Sequence, residues 1–159
     1  MRRALLATLV ALPAAALPVA ALAQTSAYTD LRGASCRTAD GVSTCPGPFG
    51  HRVRVEGNGA SDAVTLLPRG GREAPLFPPP GRDYPNGAST VGGVVEWRVE
   101  GGRVIGLLFR RRVEGEGSRL EVYKMDGARP CWIANVREAD GGNVQARRLA
   151  DTYRDLPCP

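Results

Sequence analysis

The sequence predicts an α+β domain, an antiparallel β-meander with one C-terminal helix packed on the sheet and disulfides stapling the whole. Three observations predict it. Four segments between Val94 and Arg137 alternate apolar and polar residues, the period of two that a half-buried strand requires. From Asn143 to Tyr153 the period changes: Ala146, Leu149, Ala150 and Tyr153 stand three and four residues apart, one apolar stripe of a helix. The four cysteines are an even number, and all of them follow an N-terminus that reads as an export leader.

That leader is the segment Met1–Ala23. It opens with Arg2 and Arg3, continues as an apolar, alanine-rich stretch without an acidic residue, and ends Ala-Leu-Ala. A basic start, an apolar middle and small residues at the last and third-last positions predict a signal peptide cleaved near Ala23–Gln24, leaving the protein periplasmic or secreted. Gln24, not a cysteine, stands directly after that site, so no lipid anchor is expected there. Gln24–Pro159 then fits one domain. Taking the two leader arginines from 21 basic residues leaves 19 against 16 acidic ones, a net charge of about +3. Export and so small an excess argue against a nucleic-acid binder, and no transmembrane segment remains after cleavage. Twenty glycines and 13 prolines speak for many turns rather than a helical bundle.

Along the chain, 24–35 reads as a polar opening segment, and Cys36–Cys45 as a disulfide-closed turn around Asp40-Gly41. His51–Glu56 alternates as a strand, Asn58-Gly59 offers a tight turn, and Ala63–Leu67 completes a hairpin. Pro68–Gly93 is rich in proline and glycine and is expected as a long loop, anchored by Leu76, Phe77 and Tyr84. Val94–Val99 turns through Gly101-Gly102 into Arg103–Arg110. Arg119–Met125 and Cys131–Arg137 follow, and then the helix, begun at Gly141-Gly142-Asn143 and ended by Pro157. Of three cysteine pairings, Cys36–Cys45 closes the short turn. Cys131–Cys158 returns the chain end to the last strand if the helix runs antiparallel to it. Each would contribute on the order of 3 kcal/mol by the chain-entropy argument. With one histidine and no C-x-x-C spacing, neither a metal nor a cofactor is expected.

Several short motifs occur together: Tyr28-Thr29-Asp30-Leu31 ahead of Cys36, Glu96-Trp97-Arg98, and Ala146-Arg147-Arg148-Leu149-Ala150-Asp151 before the last cysteine. In this order the chain resembles small exported bacterial proteins, periplasmic and without an assigned activity. The resemblance implies export and a single fold, and it carries over no catalytic residue.

The candidate chemistry is sparse. His51 would need an orienting carboxylate and a nucleophile to catalyse, and Ser43 and Asp62 are the nearest candidates; it reads more simply as a histidine at a strand start. Glu96 and Glu100 on one strand stand roughly 13 Å apart, too far for a glycosidase pair. Glu96 is expected to meet Arg110 or Arg111 across the hairpin, and Trp97 to be core. Trp132 is expected on the face carrying Ala134 and Val136, as a candidate partner surface. Arg110-Arg111-Arg112 is the candidate anion-binding patch, because guanidinium groups match phosphate and carboxylate bidentately. Gly57-Asn58-Gly59-Ala60-Ser61 lacks the lysine and the helix of a phosphate loop.

These readings lead to an exported binding protein without catalytic activity, its partner an envelope protein or an anionic polysaccharide or lipid. A lysozyme-type hydrolase inhibitor is the alternative, against which the positive charge argues. An envelope hydrolase built on His51 is the third.

Overall fold

A computed structural model describes residues 23–57, 59, 61–77, 88–138 and 141–158. The expected signal peptide, apart from Ala23, and Tyr84 lie outside the described residues. Among the described residues, ten strands and one long helix follow in order: β1 Thr25–Asp30, β2 Arg37–Ala39, β3 Val42–Pro46, β4 Arg52–Gly57, β5 Asp62–Leu67, β6 Ala74–Pro75, β7 Ser89–Glu100, β8 Arg103–Val113, β9 Gly117–Asp126, β10 Arg129–Arg137 and α1 Gly142–Tyr153.

The predicted α+β class holds, with two antiparallel sheets where one meander was expected. The long sheet has the order β1-β7-β8-β9-β10 and the small sheet β2-β3-β4-β5-β6. Alternation along the long strands explains the layering. Val95, Trp97, Leu107, Phe109, Tyr123 and Met125 face the small sheet, whose Val53, Val64 and Leu66 complete one core. Leu108, Leu120, Val122 and Val136 face the other way and meet Ala146 and Ala150 of α1. The long sheet is therefore covered on both faces, by a sheet and by a helix.

The helix sits close because its contact residues are small. A Cβ built on Gly106 of β8 would stand 3.2 Å from Ala150 Cβ and 2.8 Å from the Tyr123 carbonyl oxygen. The buried stripe is Gly142, Ala146 and Ala150; Tyr153, expected on it, is 39% exposed. Two bidentate pairs tie α1 down: Arg98 to Asp151 at 2.9 and 2.8 Å, and Arg147 to Glu96 at 2.6 and 3.1 Å. Glu96 thus pairs with the helix. Across the hairpin it stands opposite Leu108, not opposite an arginine.

Both expected disulfides are present, Cys36–Cys45 and Cys131–Cys158. The first ties the start of β2 to the end of β3, and the second fixes the tail after α1 to β10. The irregular stretch expected over 68–93 holds the short β6, with Leu76 buried in the sandwich core, while Phe77 is exposed. Strand β7 already begins at Ser89, and Gly92-Gly93 fall in its register shift between Val91 and Val95. Among the described residues no helix is long and apolar enough to cross a membrane.

Candidate functional site

The arginine run does not form one patch. Successive residues of a strand point to opposite faces, and Arg111 turns inward while its neighbours turn out. Arg111 is 3% exposed; its Nε donates to Glu121 Oε1 at 2.6 Å and its Nη1 to the Asp62 carbonyl oxygen at 2.8 Å. Tyr123 Oη completes the set by donating to Glu121 Oε2 at 3.0 Å. Arg111 thus joins β5 of the small sheet to β8 and β9 of the long one. Arg110 pairs with Glu138 at 2.8 Å, and Arg112 is exposed.

Trp132 is also placed differently from expectation. Strand β10 carries a register shift between Trp132 and Ala134, so Trp132 stands opposite Tyr123 and Ala134 opposite Val122. One extra residue inverts the phase of the strand. Trp132 packs half-buried on the sandwich core, its Nε1 buried, while Ile133 and Ala134 pack under the helix. The partner surface assigned to Trp132 together with Ala134 and Val136 is therefore split between two layers.

A site forms instead where five turns meet at one end of the sandwich. The meander itself brings the β7–β8 and β9–β10 turns to the same end. The β5–β6 connection joins them, close enough that a Cβ on Gly71 would stand 2.7 Å from Ala128 Cβ. Between them opens a cleft of about 340 Å³, lined by Phe49 and His51 from the β3–β4 turn and Arg69 beyond β5. Gly102–Ile105 at the start of β8, Met125, Gly127 and Ala128 at the end of β9, and Arg154 beyond α1 complete the lining. No serine, threonine, cysteine or carboxylate stands among these described lining residues. Ser43 and Asp62, the partners weighed for His51, are engaged elsewhere: the Ser43 hydroxyl bonds Thr38, and Asp62 accepts the Val91 amide.

The His51 wall is anchored. Its ring lies 6.1 Å from that of Trp97. The Trp97 indole is fully buried and donates to Thr29 Oγ1 at 2.8 Å, whose hydroxyl donates in turn to the Pro46 carbonyl oxygen at 2.8 Å. Gly47 lies against the indole so closely that a Cβ there would come 2.5 Å from Cζ2. His51 Nδ1 is buried without a hydrogen-bond partner among the described residues. Burial first, and the nearby Arg69 charge second, lower the imidazole below its ordinary value, so His51 is held neutral further into the acid range.

The arginines come from three separate segments. Arg103 and Arg154 share one carboxylate, Glu100 Oε2, at 3.6 and 3.5 Å. The Arg69 stem packs over Gly50, where a Cβ would meet its Cδ at 3.2 Å. Guanidinium groups arranged around a concave surface form a receptor for an oxyanion. Asp126, Cys131 and Cys158 also converge, but both thiols are consumed by the disulfide and offer no thiolate to a metal.

Of the residues lining the cleft, the sequence points to His51, and nothing in it singles out Phe49, Arg69 or Arg154. The Gly-containing turns at 101–102 and 127–128 were visible, and their alternation along the meander was the one signal that pointed to a shared end. No protein-family model, curated protein or solved structure matches the chain.

Proposed function

We propose that this is an exported binding protein without catalytic activity, and that it takes up an anionic component of the cell envelope through the cleft at the turn end of the sandwich. One observation carries the reading: Arg69, Arg103 and Arg154, from three distant segments, line one concave surface with no carboxylate among its described lining residues. A site of this size falls at the lower end of the range for small-molecule pockets, about 300–1,000 Å³. The neutral His51, with no nucleophile beside it in the lining, supports binding over hydrolysis.

The test is retention of the purified protein on immobilised polygalacturonate and on vesicles containing anionic lipid, at low and at moderate salt. Retention on one of them, abolished in Arg69→Ala and Arg103→Ala and kept in the Arg110→Ala/Arg112→Ala double variant, is the expected result. Loss only in the double variant would return the site to the β8 face. Absence of retention on both would end the anion reading.

A further inference from the structure

Among the described residues, three turns place consecutive residues at positive φ. At two of them the sequence supplies what that geometry requires: Asp40-Gly41, with φ 50° and 77°, and Gly101-Gly102, with φ 56° and 75°. The third is Phe49-Gly50, with φ 54° and 80°. Its frame is fixed by two backbone bonds, His51 N–H to the Pro48 oxygen at 3.1 Å and Gly47 N–H to the His51 oxygen at 2.8 Å. Phenylalanine is a poor occupant of the left-handed region, where glycine, asparagine and aspartate are at home. Nor is the ring placed there for packing, since Phe49 is 45% exposed and lines the cleft.

A strained residue that holds an apolar ring in solvent beside arginines is accounted for by a ligand that uses the ring. Resting on the anion-binding reading above, we infer that the cleft recognises a cyclic carboxylate, an acidic sugar unit of the uronic acid type. The sugar ring lies against Phe49 and the carboxylate meets the Arg69 and Arg103 side. A bare phosphate would engage the arginines and leave Phe49 without a role. An acyl chain would need an enclosed apolar cavity, whereas this cleft is open and carries guanidinium groups along its wall. A pyranose ring bearing a carboxylate has both features: C–H groups for the aromatic face and an oxyanion for a guanidinium fork.

The experiment is calorimetric titration of the purified protein with glucuronate, glucose and inorganic phosphate. Glucuronate is expected to bind at least tenfold more tightly than glucose. Phe49→Gly is the informative variant, because it removes the ring and relaxes the backbone, so its melting temperature should equal or exceed that of the parent. It is expected to weaken glucuronate about tenfold, the scale of one ring contact, and to leave phosphate unchanged. Arg69→Ala should weaken both anions tenfold or more. If phosphate binds through Arg69 while glucuronate gains nothing from Phe49, the sugar assignment is overturned and the broader anion reading stands. If neither anion binds, both fall.

Discussion

Arg111 and Glu121 are ion-paired inside the sandwich, Nε to Oε1 at 2.6 Å, with both side chains almost wholly withdrawn from solvent. The pair sits where the small sheet closes on the long one, since the same guanidinium also bonds the Asp62 carbonyl oxygen. Removing one partner leaves the other as an uncompensated buried charge. Arg111→Ala should therefore destabilise the protein by about 3–5 kcal/mol, read as a shift in the denaturation midpoint. Arg111→Lys should not restore it, because one ammonium cannot reproduce the planar fork. Arg110→Ala and Arg112→Ala should each stay within about 0.5 kcal/mol of the parent.

Closeness of sheet and helix depends on Gly106. Gly106→Val would drive a branched side chain against Ala150 and the Tyr123 carbonyl oxygen, and overpacking of this kind costs about 1–3 kcal/mol. The loss should be concentrated in α1, where amide exchange should quicken before that of β7 and β8 does. Uniform quickening across the sheet would count against this account.

The second disulfide should matter more to stability than the first. Cys131 and Cys158 are 27 residues apart in sequence, Cys36 and Cys45 only 9, and the entropy removed from the unfolded chain grows with the loop closed. Replacing each pair by alanine should cost about 3.5 kcal/mol for Cys131–Cys158 and about 2.5 kcal/mol for Cys36–Cys45. Urea denaturation of the two double variants gives the order directly.

His51 carries a pH dependence of defined sign. Its folded value lies below the ordinary 6.5, so between the two values the unfolded chain binds more protons than the folded one. The stability it contributes is fully present above about pH 6.5 and is lost as pH falls through that window towards the lowered folded value. His51→Gln should flatten the profile in that window. As the only histidine in the chain, its ring gives one unobscured NMR titration curve, and Arg69→Ala should shift that curve upward by removing a neighbouring positive charge.

The parts of the fold that were legible are those where one periodicity governs a whole element. The hairpin of β7 and β8 is legible from Val94 onward because Val95, Trp97, Leu107 and Phe109 alternate against a single core, and α1 because Ala146 and Ala150 recur at helical spacing. Strand β1 is not, since Thr25–Asp30 is largely polar and takes its place by pairing with β7. The site was less legible still. That Arg110, Arg111 and Arg112 cannot share a face follows from the period of two, but which of them turns inward depends on Asp62 and Glu121. The bulge at Ile133 leaves no mark in composition, yet it decides where Trp132 goes. The cleft needs five turns brought to one end, and only the two within the meander are ordered by local sequence.

Pairing of β1 with β7 also has a consequence for how the chain is made. Asp30 and Val94 are 64 residues apart, and Thr25 and Val99 are 74. At about 5–20 residues per second, β1 leaves the ribosome roughly 3–15 s before its partner, and every strand of the small sheet emerges in that interval. Until β7 follows, β1 has no strand beside it on either edge. An apolar strand left waiting in that condition would recruit other chains. The serine, threonines and aspartate of β1 keep the waiting strand soluble, so the composition that hides it from a search for hydrophobic alternation also suits its place in the order of synthesis.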